Sequence, residues 1–230
     1  MPQISIRLKA IADFVKPNSA VCDIGCDHGY LAIHLTKYGK ANSVIATDIG
    51  EKPLKNARKN IENAGMSGID LRLCDGLSGI KPEETDTVIC AGIGGEVIAG
   101  ILERGNDVAA RRGVDLILQP TTSPEFLRRF LYQNGYEIIR ETPVFENGKI
   151  YSIMLAEFAD NIQKMPEYFY FYGKVTPETN NGKRYIEKQL KRNTACALAL
   201  EGIKEKQTEY LYFKELSEGI KNYLETFKEG

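Results

Sequence analysis

Residues 21–35 read VCDIGCDHGYLAIHL: a short apolar run, a turn through Gly25 and Gly29, then apolar residues at helical spacing. The run has the character of a buried strand and the sequel that of a helix. The same alternation recurs downstream. Strands are expected at Ala20 to Ile24, Ser43 to Asp48, Asp70 to Cys74, Thr87 to Ala91 and Val114 to Gln119, with helices over Tyr30 to Tyr38, Lys52 to Asn63, Gly94 to Arg104 and Pro124 to Gln133. Strands alternating with helices pair in parallel through right-handed crossovers, which predicts an α/β, Rossmann-like, doubly wound sheet covered on both faces. YEIIR (136–140) and KIYSIMLAEF (149–158) follow, separated by ETPVFENG, whose ENG suits a hairpin turn. The mostly parallel sheet is therefore expected to close with an antiparallel C-terminal strand pair.

The chain has 230 residues, 43% hydrophobic and 27% charged, enough for one sizeable core and an appendage. No apolar run reaches the roughly 18 residues of a membrane span, and the N-terminal stretch has no leader-like pattern, so a cytoplasmic, membrane-free protein is expected. Five cysteines without repeating spacing fit a reducing compartment. A net charge of -1 means that any nucleic-acid surface must be local. Past Asp160 the rhythm changes. Aromatics cluster in PEYFYFYGK (166–174), and Lys183 to Lys228 carries apolar residues at helical spacing with only Gly202 and Gly219 as breaks. A lone helix of that length would leave its apolar stripe wet, so a small, coiled-coil-like hairpin is expected. The division predicted is a catalytic domain over 1–160 and an all-helical extension over 161–230, with a monomer favoured.

In a doubly wound sheet the ligand sits at the carboxyl ends of the strands, where DIGCDHG forms the first turn. Asp23, Gly25 and Gly29 make D-x-G-x-x-x-G rather than the G-x-G-x-x-G of dinucleotide sites. Asp27 would repel a pyrophosphate and suit a ligand with a cationic amine and sulfonium, such as S-adenosylmethionine. The second strand ends in ATDIG, which puts Asp48, followed by Ile49, where an acid meets adenosine ribose hydroxyls. The third ends in LCDGLSGI, which offers Asp75 to the adenine amine. In AGIGG, Gly92, Gly94 and Gly95 leave backbone open to a flat base. Gln119, before Pro120, is expected to present its amide at the same rim.

DIGCDHGYL, ATDIGEKPL, LCDGL, AGIGG and LILQP, in this order and with a helical extension behind them, resemble the bacterial tRNA (adenine22-N1)-methyltransferase family over most of residues 1 to about 160. Cys26 and Gly29 depart from the family loop, which has serine and alanine there. The resemblance implies a class I S-adenosylmethionine-dependent enzyme that methylates N1 of an adenine in the D-arm region of tRNA, with the extension helping to hold the tRNA. It places Gly25, Asp27, His28, Asp48, Asp75, Gly76, Ala91 and Gly92 around the cofactor, and Arg7 beside it near the methionine carboxylate.

Adenine N1 carries its own lone pair, so transfer needs positioning more than a strong base. The positive charge that develops on the base calls for a nearby carboxylate or carbonyl. Asp27 is the first candidate, for that role or as a cofactor contact alone, and Gln119 is the second. Extracting the base needs backbone contacts, for which KRYIEKQLKR offers Lys183, Arg184, Lys188, Lys191 and Arg192, with further basic pairs at Arg111–Arg112 and Arg128–Arg129. Cys22, Cys26 and His28 do not make a metal site, because Cys22 lies within the strand and no second ligand pair follows. A small-molecule or other RNA methyltransferase and a non-enzymatic tRNA-binding protein on the same fold are the alternatives.

Overall fold

The computed structural model describes residues 4–227; the expected helical end at Lys228 lies outside them. A seven-stranded sheet runs in the order β3-β2-β1-β4-β5-β7-β6. Strands β1 (Ser19–Ile24), β2 (Ala41–Asp48), β3 (Ile69–Leu73), β4 (Thr87–Ile93) and β5 (Asp115–Pro120) are parallel. The hairpin strands β6 (Tyr136–Glu146) and β7 (Lys149–Phe158) are antiparallel, with β7 inserted beside β5. Pro143, expected in the connection, pairs with Ser152 inside β6. Because β6 is the sheet edge, a residue without an N–H is tolerated there.

Adjacent strand residues point to opposite faces, and both faces are dry. Val21, Val44, Ile89 and Ile117 pack with α1 (Ile6–Ala12), α2 (Tyr30–Lys37) and α3 (Glu51–Asn63). Their neighbours Cys22, Ile45, Val88 and Leu116 pack with α4 (Gly95–Arg104), α5 (Asn106–Ala109) and α6 (Pro124–Gln133). This two-sided burial is why the strands read as continuous apolar runs rather than as alternating ones. Helix α1 had no counterpart in the sequence pattern. It is one short amphipathic stretch, started by Ser5, whose hydroxyl accepts from the Leu8 N–H at 3.2 Å.

The tail is a short helix α7 (Phe169–Tyr172) followed by a hairpin of α8 (Asn180–Leu200) and α9 (Gln207–Thr226). Gly202, at φ +79, makes the break, a backbone state open to glycine at little steric cost. Gly219 stays inside α9, because a Cβ there would collide with the Tyr168 ring. Tyr185, Ile186, Leu216 and Ile220 join Phe171, Tyr172 and Ile150 of β7 in a separate small core. The aromatic cluster straddles the seam: Tyr170 belongs to the main core, and Phe171 and Tyr172 to the small one.

Arg128, considered above as one of a basic surface pair, is fully buried at this seam. Its Nη2 donates to Glu141 Oε2 at 2.7 Å and to the Tyr185 hydroxyl at 2.9 Å, and its Nη1 to the Tyr170 carbonyl at 2.8 Å. Glu141 also accepts from the Ser152 hydroxyl at 2.7 Å and the Lys174 N–H at 3.1 Å. Burial alone opposes the guanidinium charge, but Glu141 and Tyr185 more than restore it and hold its pKa above the ordinary value. An arginine so enclosed meets no RNA. Arg129 is likewise engaged, with Glu167.

Candidate functional site

The strand order reverses between β1 and β4, and in such sheets a crevice opens at the carboxyl ends there. A cleft of about 530 Å³ occupies it. Its first wall is the β1–α2 loop, tied to β2 where the Gly25 and Cys26 N–H groups both donate to the Thr47 carbonyl at 2.9 Å. Asp48 then fixes the rest of the turn. Its Oδ2 accepts from the Asp27 N–H at 3.3 Å and its Oδ1 from the Gly50 N–H at 2.9 Å. Asp27 adopts φ +47, which leaves its side chain 65% exposed at the rim with Oδ2 3.5 Å from His28 Nε2. His28 in turn stacks on Tyr30, with centroids 5.4 Å apart.

Asp23 lies deeper. It is 4% exposed, and burial, helped by the nearby Asp48, raises its carboxyl to about 7. Asp75, at the end of β3, is half-exposed and holds Arg104 at 3.2 Å. Across the cleft stands Arg7 of α1, the one arginine or lysine among the lining residues. Its backbone N–H donates to Glu146 Oε1 at 2.9 Å, its Nε to Glu146 Oε2 at 3.3 Å, and its Nη1 to Gln119 Oε1. Burial raises the Glu146 carboxyl, but these bonds and one from Ser5 outweigh it and bring the pKa below the ordinary value. The guanidinium also sits 5.7 Å from the Tyr151 ring centroid.

Of the residues expected around a cofactor, Arg7, Asp23, Gly25, Asp27, His28, Asp48, Ile49, Asp75, Gly76, Ala91 and Gly92 line this one cleft. Gly29 does not; it is the N-cap of α2, backed by Ala57. Gln119 is not at the rim either. It is wholly buried, with Oε1 taken by Arg7 and by the Gly92 N–H at 3.1 Å, and Nε2 donating to the Pro120 carbonyl at 2.8 Å. Its amide orients Arg7 and the β4 turn and, wholly buried, is not presented to a substrate. Gly95 is buried where a Cβ would strike the Ser123 carbonyl, and a Cβ on Gly94 would lie 3.0 Å from Thr122 Oγ1. Both are set by the neighbouring loop. The five basic residues of α8 are exposed, with Lys183 paired to Glu187 and Arg192 to Glu125. The sequence reading missed Leu8, Tyr30, Thr47 and Val97 in the lining. Tyr30 opens the helix behind the loop, a position that could have flagged it; Leu8 and Val97 give no such signal.

Four carboxylates and a single arginine fit a zwitterion with extra positive charge and do not fit a pyrophosphate. A buried carboxyl such as Asp23, held near 7, is relieved by a cation beside it. S-adenosylmethionine, with its ammonium, sulfonium and carboxylate, meets those terms. Among the described residues no cluster of His, Cys, Asp or Glu could hold a metal ion.

Sheet order and cleft thus define a Rossmann-like methyltransferase, and residues 4–154 match the family described as a methyltransferase domain. The tRNA (adenine(22)-N(1))-methyltransferase of Bacillus subtilis is 37% identical over 159 residues, which span 69% of this chain and 66% of that protein. The crystal structure of the Bacillus subtilis m1A22 tRNA methyltransferase superposes with a TM-score of 0.79 at 28% identity, covering 99% of this chain and 98% of that one. A Streptococcus pneumoniae structure in complex with S-adenosyl-L-methionine matches at 0.81 and 32% identity, over 96% of this chain and 100% of that one. The chain belongs to the bacterial tRNA (adenine22-N1)-methyltransferase family.

Proposed function

We propose that this protein transfers a methyl group from S-adenosylmethionine to N1 of adenine 22 in tRNA. The observation that carries this reading is the acid-rimmed cleft at the switch point with Arg7 as its one arginine or lysine. Residues 1–160 form the methyltransferase domain and 161–230 the tRNA-contacting extension. The enzyme works as a cytoplasmic monomer; Ile186, Leu216 and Ile220 of the hairpin pack within its own small core, while Leu198, Ile203 and Leu211 near the turn stay exposed.

When bound, S-adenosylmethionine supplies an electrophilic methyl on a sulfonium. Arg7, aimed by Glu146 and Gln119, holds the methionine carboxylate. Asp48 takes the ribose hydroxyls, Asp75 takes the adenine amine, and Asp23 faces the ammonium. The exposed backbone at Gly92 admits the target base. Its N1 lone pair forms the new C–N bond as the C–S bond breaks, so charge moves from sulfur to the base and no proton has to leave N1. Asp27, exposed at the rim, stabilises that charge or accepts from N6. Lys183, Arg184, Lys188, Lys191 and Arg192 face the tRNA backbone.

The test is incubation with labelled S-adenosylmethionine and unmodified tRNA, followed by nucleoside analysis and mapping. We expect 1-methyladenosine at position 22; label in a small molecule, or cofactor binding without transfer, would reject the reading. Asp27→Asn is expected to lower kcat by about tenfold or more at saturating cofactor and tRNA. Unchanged turnover would remove Asp27 from the chemistry.

A further inference from the structure

Beside the cofactor cleft lies a second groove, of about 350 Å³, where the methyltransferase domain meets the tail. Thr122, Glu125, Tyr151, Lys188, Gln189 and Arg192 are among its lining residues. The partition between the two is the β5–α6 loop, whose Thr122 carbonyl accepts from the Gly95 N–H at 2.9 Å and whose hydroxyl lies near Gly94. Thr122 therefore stands between the Gly92–Gly94 turn on the cleft side and the groove.

The groove's chemistry is mixed in a specific way. Lys188 is exposed and has no carboxylate partner among the described residues, and Arg192 is held at 3.2 Å by Glu125. The ten-residue helix α6 points its N-terminus here, and its cap, Ser123, supplies no side-chain hydrogen bond to the first turn. An uncapped helix start beside a free cation favours an anion. At the groove wall Gln189 is only 4% exposed, yet its side-chain oxygen has no hydrogen-bond partner. A buried acceptor left unpaired is costly, and a phosphate, which carries only acceptors, cannot satisfy it. A hydroxyl can. In an RNA strand the two groups come together, because each phosphate is flanked by a ribose 2′-hydroxyl that acts as a donor.

We propose that this groove is a ribonucleotide-backbone subsite: Lys188 and the start of α6 hold a tRNA phosphate next to the target base, and Gln189 accepts from the adjoining 2′-hydroxyl. The proposal rests on the tRNA reading above and adds to it a fixed path for the strand. It separates Lys188 and Arg192, which line the groove, from Lys183, which does not. Glu125 keeps Arg192 pinned at the groove edge, so the unpaired Lys188 supplies the net attraction.

The experiment measures tRNA KM, kcat and the salt dependence of tRNA binding for wild type, Lys188→Gln and a distant control, Lys221→Gln on α9. Lys188→Gln is expected to raise KM several-fold with kcat and cofactor affinity unchanged, and to lower the salt slope by about 1; Lys221→Gln should leave both near wild type. A second arm replaces the 2′-hydroxyls flanking adenine 22 by hydrogen. The deoxy substitution should weaken binding to wild type, while Gln189→Met, weaker from the outset, should show no further loss. Equal effects of Lys188→Gln and Lys221→Gln, or an equal deoxy penalty in wild type and Gln189→Met, overturn the subsite. If wild type methylates tRNA and only these differences are absent, the subsite alone fails. If wild type leaves tRNA unlabelled, the tRNA reading fails and the subsite with it.

Discussion

The cofactor cleft and the seam under the tail are assembled in different ways. In the cleft, most of the meeting residues follow directly on β1, β2, β3 and β4, and the sheet brings those strand ends together. At the seam, Arg128, Glu141, Tyr170 and Tyr185 come from α6, β6, α7 and α8, up to 57 residues apart, and nothing local announces that they meet. The cleft keeps Asp27, Asp48 and Asp75 partly wet and ready for a ligand, whereas the seam satisfies a buried charge with protein groups. One region stores binding capacity and the other stores rigidity.

The sharpest way to break this contrast is Arg128→Met. Removing one partner leaves Glu141 buried without its charge partner, at an expected cost of about 3–5 kcal/mol in urea unfolding, and Arg128→Met combined with Glu141→Leu should recover most of it. A single variant as stable as wild type would show that the seam is not a closed network. Gly219→Ala is expected to cost about 1–3 kcal/mol, because the added methyl overlaps Tyr168 and forces α9 away from the aromatic cluster. Thermal unfolding checks this, and an unchanged midpoint would mean that the tail packs loosely.

A pH titration sharpens the cleft side. Asp23 titrates near 7 in the free protein because of burial and Asp48, against about 3.9 in an unfolded chain. Its ionised form is therefore penalised by folding, and the free protein loses stability as pH rises from about 4 through 7. A cationic ligand favours the ionised form, so below pH 7 binding must release a proton and cofactor affinity should fall by at most about tenfold per pH unit. Calorimetry in buffers of different ionisation enthalpy reads that proton. Asp23→Asn should flatten the profile and raise free-protein stability at pH 8; a pH dependence that survives the substitution would assign it to another group.

Helix α6 came out of the sequence with its bounds intact, because Pro124 marks its first turn and the apolar spacing runs cleanly to Gln133. The acids at the ends of β1, β2 and β3 were legible for a related reason: strand, turn and acid are adjacent in the chain, and parallel topology converts adjacency into convergence. The hairpin break at Gly202 was readable as one of two candidates, but only the packing of Tyr168 against Gly219 shows why the second glycine continues the helix.

Sequence alone thus determined the doubly wound sheet, the antiparallel closure, the helical tail and the acidic rim, all of which depend on periodicity and neighbouring residues. The tertiary structure decided the rest. It drew Gln119 beneath the site to orient Arg7, enclosed Arg128 instead of leaving it on the surface, and placed Lys188 and Gln189 beside the β5–α6 loop. The physical reason is that a long polar side chain looks the same in sequence whether it faces water or a buried partner. Only the positions of residues distant in the chain determine whether its charge is free for a ligand or already paired.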